Sequence, residues 1–288
     1  MHNRDRLSRR DWLKSAGAIL TVAGTGCGAS MTEPLQVSTR NIPIGVQLYC
    51  VRRELAEEME STLAGLAEMG FEGVEFADYF ERSARQLRGL LDSNGLRCCG
   101  THILLDDMLG DNLQATVEFN QELGNQYLIV RWLDESRRES KESFADTIGL
   151  FNQIAENLEP HGMRVGYHNH DYIFESFNGK SLWNTLGDET HSSVVLQLDT
   201  GNASLVGVDI YQLLERNPGR TATIHLKPYS AGKPDAYIGQ DDLDWKRIIE
   251  LCETTAGTEW YIVEYEMDAY PPMEALKANL ESFKTLLS

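Results

Sequence analysis

Four segments in the second half of the chain each end on a side chain of a metal-ligand type. Short apolar runs lead to His168, Asp199, His225 and Glu264. Apolar runs of this length predict buried strands, and buried ionisable groups are costly unless they are paired or bound to a metal. Two imidazoles and two carboxylates predict a site for one divalent cation. Mixed nitrogen and oxygen ligation favours Mn, Co, Zn or Fe(II) over Mg or Ca.

Each of these residues also has an ordinary structural interpretation when it is considered alone. Asp199 precedes Thr-Gly-Asn and has the residue type of a helix N-cap. His225 alone is typical of a satisfied core histidine, and Glu264 alone is typical of a solvated strand end. The recurrence of ligand types at four successive strand ends is what favours the metal site.

Strand-like and helix-like patterns alternate from residue 42 to the end of the chain. The predicted strands cover residues 44–49, 73–76, 96–102, 127–132, 164–168, 194–199, 221–225 and 260–264. The predicted helices cover residues 54–69, 83–93, 112–123, 141–158, a short stretch near 182, 209–217, 243–254 and 272–287. Eight strand–helix pairs predict an α/β fold, a single (β/α)8 TIM barrel over residues 42–288. An open doubly wound sheet is the alternative, but the chain lacks the glycine-rich phosphate motif that would support it.

A parallel barrel brings the carboxyl ends of its strands to one rim, where barrel active sites lie. Side chains two residues apart share a face of a strand, which places His170, Lys227 and Glu266 beside three of the predicted ligands. We expect Glu264 or His170 to act as the base and Lys227 to stabilise developing negative charge. Glu266 is a candidate substrate-binding residue.

Three further candidates for substrate binding follow the earlier strands. Glu75 and His102 lie near the ends of the second and third strands, and Trp132 ends the fourth. Glu75 and His102 are predicted to bind substrate hydroxyls or to supply a second acid, and Trp132 to form an apolar wall. The alternatives are ordinary polar rim residues for the first two and a core residue for Trp132.

The first 30 residues have the composition of an export signal. Arg9-Arg10 followed by the apolar stretch 16–23 resembles a twin-arginine motif, and this stretch is too short to span a membrane. Cys27 follows small residues that resemble a lipoprotein cleavage site, with ordinary signal cleavage as the alternative. Residues 31–41 are predicted to be a linker. The protein is therefore expected to use the twin-arginine export machinery and to be periplasmic, or membrane-tethered by a lipid at Cys27.

The formal net charge of the chain is -18. A basic surface is needed to bind nucleic acid, so no nucleic-acid partner is expected. The acidic balance favours a small ligand that is uncharged or bound with the help of a cation. The oligomeric state cannot be derived from the sequence.

Four ordered motifs resemble those of the xylose-isomerase-like TIM-barrel superfamily of sugar phosphate isomerases and epimerases, which includes inosose dehydratases. They are Tyr167-His-Asn-His-Asp171, Leu198-Asp-Thr-Gly-Asn202, Ile224-His-Leu-Lys227 and Val263-Glu-Tyr-Glu266. The resemblance covers residues 42–288 and implies a carbohydrate substrate. It also implies one divalent metal, most often manganese, with Co, Zn, Fe or Mg as alternatives. The ligand positions that it implies are those of His168, Asp199, His225 and Glu264.

The chain departs from this family pattern at one ligand position. Many epimerases in the family have a glutamate at the end of the fifth strand, where this chain has His168. In those enzymes two metal-bound glutamates exchange the substrate proton from opposite faces. Of such a pair, this chain has only Glu264. The first expectation is an exported metal-dependent sugar isomerase or epimerase that acts through an enediolate. The alternatives are a lyase or dehydratase on a keto-sugar, cyclitol or 3-keto-glycoside, and a catalytically inactive sugar-binding barrel.

Overall fold

Eight parallel strands close into a barrel in the computed structural model, which describes residues 41–177 and 179–288. The predicted single (β/α)8 barrel is confirmed. Successive strands pair with each other, and the first strand pairs with the last. The predicted export signal with Cys27, and the predicted linker up to residue 40, lie outside the described residues.

The strands are short, and most of their residues are buried. They are β1 Ile44–Gln47, β2 Gly73–Phe76, β3 Arg97–Ile103, β4 Tyr127–Val130, β5 Arg164–His168, β6 Val195–Asp199, β7 Thr223–Leu226 and β8 Trp260–Val263. The first strand ends two residues earlier than predicted. The Gln47 side chain accepts a hydrogen bond from the Tyr49 backbone N–H, and Leu48–Val51 then form a 3-10 turn.

Helices surround the barrel on its outer side. They are α1 Arg52–Met69, α2 Ala84–Ser93, α3 Asn112–Leu123, α4 Lys141–Leu158, α5 Leu182–Glu189, α6 Thr200–Leu205, α7 Ile210–Arg216, α8 Trp245–Leu251 and α9 Pro272–Leu286. The helix α6 was not among the predicted helices, although Asp199 before it has the residue type of a helix N-cap. No helix in the described part of the chain is long and apolar enough to cross a membrane.

The interior of the barrel changes from apolar to polar along its axis. The part toward the amino ends of the strands is filled by an apolar cluster of Cys99, Tyr127, Ile129, Val195, Ala222, Trp260 and Ile262. Between this cluster and the mouth lie four inward-facing, almost fully buried polar side chains, which we call the polar middle layer: Gln47, Glu75, Gln197 and Thr223. TIM barrels usually fill such layers with branched apolar side chains. Here the strand ends of the mouth instead rest on a buried hydrogen-bonding layer.

Candidate metal centre

The four predicted ligands meet at the carboxyl ends of consecutive barrel strands. His168 and Asp199 are the last residues of β5 and β6, His225 lies in β7, and Glu264 directly follows β8. One ligand atom from each of these side chains lies within 4.8 Å of all the others, and all four residues are buried. The arrangement that the strand-end pattern predicted is therefore present.

Asp199 uses its two carboxylate oxygens differently. Oδ1 accepts a hydrogen bond from the Asn202 backbone N–H at 2.6 Å and so caps α6. Oδ2 is buried, has no hydrogen-bond partner in the described part of the chain, and lies 3.9 Å from Nδ1 of His225. Burial raises the pKa of Asp199 to about 7. A buried carboxylate oxygen without a donor is expected to bind a cation, so the donor set fits a divalent metal.

His168 has its ring orientation set by an amide below it. Its Nδ1 lies 3.0 Å from Oε1 of Gln197, while Nε2 of Gln197 donates to Glu75 and Thr223. An amide oxygen only accepts, so Nδ1 of His168 carries the proton and Nε2 keeps the lone pair that a metal needs. Burial lowers the pKa of His168 well below its ordinary value, which keeps the ring neutral.

His225 is held between two carboxylates. Its Nε2 donates to Oε2 of Glu75 at 2.6 Å, and its Nδ1 contacts Oε2 of Glu264 on the metal-site side. Burial alone lowers the pKa of His225, but the negative charges of Glu75 and Glu264 outweigh it and raise the pKa to about 10. The ring therefore points Nε2 into the barrel and Nδ1 toward the other candidate ligands.

Lys227 and Glu266 form the charged edge of the site. Nζ of Lys227 lies 2.9 Å from Oε1 of Glu264 and 2.5 Å from Oε2 of Glu266. Burial lowers the pKa of Lys227, but Glu264, Asp199 and Glu266 outweigh it and raise the pKa well above its ordinary value. A fixed cation thus stands next to the candidate ligands.

Trp132 follows β4, and His170 follows β5. Nδ1 of His170 is buried without a hydrogen-bond partner among the described residues, and burial lowers the pKa of this ring to about 4. The Trp132 ring meets the His170 ring edge-on at 5.4 Å and is 44% exposed. Both side chains line the cavity above the candidate metal site.

This cavity has a volume of about 760 Å³ and is lined by both predicted and unpredicted residues. The predicted ones are His102, Trp132, His168, His170, Lys227, Glu264 and Glu266. Arg52, Asp78, Phe80, Arg131 and Asn202 also line it and were not predicted. A second cavity of about 340 Å³ shares Arg52 and Glu266 with the first. The two cavities therefore adjoin along the mouth.

Glu75 and His102, two predicted substrate-binding residues, have different surroundings. His102 lines the cavity, and its Nε2 lies 2.8 Å from Oε1 of Gln197. Glu75 is fully buried in the polar middle layer and is not among the cavity-lining residues. The supporting roles of Gln47 and Gln197 were not predicted. The signal for Gln197 is its period-two spacing from Asp199, which places both on the inward face of β6.

Comparison with known proteins agrees with the barrel fold. The family model described as xylose isomerase-like TIM barrel matches residues 63–286. The chain belongs to this family. It is also similar to an inosose dehydratase from Erwinia tasmaniensis, with 23% identity over 270 residues that cover 78% of this chain and 90% of that protein.

Two solved structures illustrate the shared fold. A sugar phosphate isomerase/epimerase from Parabacteroides distasonis has 20% identity and a TM-score of 0.74, covering 88% of this chain and 98% of that one. The IOLI protein, solved with a bound zinc atom, has 13% identity and a TM-score of 0.66, covering 86% of this chain and 98% of that one. At these identities the likeness concerns the fold.

Proposed function

We propose that the protein is an exported, divalent-metal-dependent sugar isomerase or epimerase that acts through an enediolate at the barrel mouth. The observation that carries the proposal is the convergence of four buried ligand side chains within 4.8 Å, one with an unpaired oxygen, beneath a cavity. Manganese is the first choice of metal, with Co, Zn, Fe or Mg as alternatives. The IOLI protein, which shares this fold, was solved with a bound zinc atom, and this supports the proposal of a metal.

The ligand atoms follow from the hydrogen bonds of each side chain. They are Nε2 of His168, Oδ2 of Asp199, Nδ1 of His225 and a carboxylate oxygen of Glu264. A divalent cation held there supplies Lewis-acid stabilisation of the oxygens of a bound sugar.

The side chains around the ligands are suited to moving a proton beside a sugar carbonyl. His170 or Glu264 removes the proton, since both line the cavity and both ring nitrogen and carboxylate are general bases. Nζ of Lys227 stabilises the negative charge that develops on the carbonyl oxygen of the sugar. Trp132 offers an exposed ring face against which a sugar can pack. Return of the proton to the neighbouring carbon gives isomerisation, and return to the other face gives epimerisation.

The test combines metal analysis with proton exchange. Purified protein is stripped with a chelator, reloaded with Mn(II) and incubated in D2O with a panel of free and 3-keto sugars. We expect Mn(II)-dependent incorporation of deuterium beside the carbonyl without loss of water or an aglycone. Loss of either would contradict isomerisation. A folded protein that neither binds metal nor exchanges protons would leave the sugar-binding alternative.

A lyase or dehydratase is the second candidate, and two observations favour it. His168 stands where a two-glutamate epimerase needs a second carboxylate, and one similar protein is an inosose dehydratase. A second cavity adjoins the first at Arg52 and Glu266, which offers a place for the additional ring of a glycoside. Release of water or an aglycone from such a substrate, rather than exchange alone, identifies this reaction.

Export is proposed from the sequence of the first 30 residues. Arg9-Arg10, the short apolar stretch 16–23 and the small residues before Cys27 occur in the order of a twin-arginine signal with a lipoprotein-like cleavage site. The proposed location is the periplasm, either free or tethered by a lipid on Cys27.

A further inference from the structure

Glu75 is a fully buried carboxylate surrounded by hydrogen-bond donors from four other strands. Its Oε2 accepts from Nε2 of Gln47 at 2.6 Å and from Nε2 of His225 at 2.6 Å, and it lies 3.1 Å from Nε2 of His102. Its Oε1 accepts from Nε2 of Gln197 at 2.8 Å. A buried charge with this many donors is well satisfied, but the mechanism above gives it no task.

The backbone around Glu75 leaves space for its carboxylate. Gly100 on β3 pairs with Glu75, and the register of β2 against β3 shifts between Val74 and Glu75. A Cβ on Gly100 would lie 2.5 Å from Oε1 of Glu75. The missing side chain at Gly100 is what lets the carboxylate lie inside the barrel.

Hydrogen bonds connect Glu75 with two candidate ligands, His225 and His168. Directly, Glu75 requires a proton on Nε2 of His225. Indirectly, it takes the N–H of Gln197, which turns Oε1 of Gln197 toward Nδ1 of His168. In both rings the nitrogen nearer the barrel interior is then protonated. Nε2 of His168 has its lone pair at the metal site, and Nδ1 of His225 would offer one when a metal replaces the proton between it and Glu264.

We infer that Glu75 is a positioning residue that sets the tautomers of His225 and, through Gln197, of His168, so that both rings offer a lone pair to one metal ion. The inference rests on the proposed function only in requiring that the site binds a divalent metal. It assigns Glu75 to the support of the metal site instead of to substrate hydroxyls.

The substitution Glu75→Gln changes few atoms, but it disrupts this arrangement of hydrogen-bond donors and acceptors. An amide has one acceptor oxygen, so if that oxygen stays toward His225, its NH2 group faces the NH2 group of Gln197. Relief by rotation of the Gln197 amide would present N–H groups to Nδ1 of His168. His168 would then carry its proton on Nε2, where the metal ligand is needed.

Exchanging the residue types at positions 75 and 197 should restore the arrangement of donors and acceptors. In the double variant Glu75→Gln/Gln197→Glu, the carboxylate at position 197 accepts from His168, His102 and the amide at position 75. The oxygen of that amide still accepts from His225, and Thr223, now an acceptor for Gln197, can rotate its hydroxyl to donate. The hydrogen bond between positions 75 and 197 and the acceptor for Nδ1 of His168 are thereby restored. If Glu75 only filled space, no such recovery would be expected.

The experiment measures Mn(II) affinity by calorimetry and the tautomer of His168 by nitrogen NMR of the metal-stripped protein. Unchanged protein should show the proton of His168 on Nδ1. Glu75→Gln should bind Mn(II) about 10–100-fold more weakly, the usual effect of losing an outer partner of a ligand, and should move that proton to Nε2. The double variant should recover most of the affinity and the original tautomer. Glu259→Gln, a carboxylate-to-amide change at the Tyr127 hydroxyl, serves as the control and should change neither.

Two results would overturn the inference. One is Glu75→Gln with the affinity and tautomer of the unchanged protein, and the other is a folded double variant that remains as weak as the single one. If Glu75→Gln does not fold, the double variant decides alone, because the inference requires it to fold and bind Mn(II). Absence of Mn(II) binding by the unchanged protein would instead contradict the proposed function.

Discussion

Asp199 connects the candidate metal site to the helix that follows it. Its Oδ1 caps α6 through the backbone N–H of Asn202, and its Oδ2 lies near His225 and has no donor among the described residues. The helix-cap and metal-ligand interpretations of this strand-end aspartate are therefore compatible, because they concern different oxygens. One side chain can end a strand, begin a helix and still offer a ligand.

The substitution Asp199→Asn separates these two tasks. The amide oxygen can still cap α6, whereas the position of Oδ2 loses its charge or becomes an N–H donor. We expect the metal-free variant to keep its melting temperature within a few degrees and to bind Mn(II) more than about 100-fold more weakly, beyond the effect of an outer partner. Asp209→Asn is the matched control, since Asp209 caps α7 in the same way. Unchanged affinity in Asp199→Asn would remove Asp199 from the ligand set.

The two halves of the barrel contribute different residues to the candidate site. β5 to β8 end in the candidate ligands, while β1 and β2 contribute Gln47 and Glu75 to the polar middle layer. β3 contributes His102 at the cavity and, below it, the space at Gly100. The first three strands therefore act on the site through buried contacts as well as through the cavity wall.

The substitution Gly100→Ala tests the fit between β2 and β3. Its methyl group would press on the Glu75 carboxylate, and we expect a loss of about 1–3 kcal/mol in the free energy of unfolding, together with weaker Mn(II) binding. Urea titration and calorimetry measure the two effects. Gly89→Ala on α2 is the control, because a Cβ there meets nothing within 4 Å and alanine is the better helix former by about 0.5–1 kcal/mol. Equal stability of the two variants would contradict the close fit.

Metal binding should stabilise the barrel as a whole, since its ligands come from four strands. Free Mn(II) at about 100 times its Kd adds roughly 2.7 kcal/mol to the free energy of unfolding. For a domain of this size that corresponds to a rise in Tm of roughly 5–10 °C, measured by calorimetry with and without a chelator. His225→Ala should show no such rise, because it lacks one ligand. A Tm that responds equally in both proteins would indicate binding elsewhere.

The proposed export signal can be tested in cells. In a bacterial host with a twin-arginine pathway, the protein that includes residues 1–30 should reach the periplasmic or membrane fraction. Arg9→Lys/Arg10→Lys should hold it in the cytoplasm, whereas Arg4→Lys/Arg6→Lys, outside the motif, should not. Cys27→Ser should release the protein from the membrane fraction if a lipid is attached there. Normal export of the first double variant would contradict the twin-arginine assignment.

The barrel and the convergence of the four candidate ligands could be predicted from the sequence because both depend on short periods. Alternating apolar runs predicted eight strands, and strand ends placed His168 and Asp199 at one rim. The depth of a side chain inside a barrel has no such period, and so Glu75 was predicted to contact substrate although it lies in the polar middle layer. The α6 helix was not predicted because Thr-Gly-Asn is turn-forming, although Asp199 has the residue type of the N-cap that it supplies.

The polar middle layer also limits how this barrel can change during evolution. Each of its side chains has a donor or acceptor direction fixed by its neighbours, as Gln197 has between Glu75 and His168. Single substitutions leave a buried donor facing another donor, which costs about 1–3 kcal/mol, so most one-step changes are disfavoured even where paired changes would be neutral. We expect strong epistasis at these positions: a deep mutational scan should find single variants of Gln197 depleted, with compensation confined to partners within the layer.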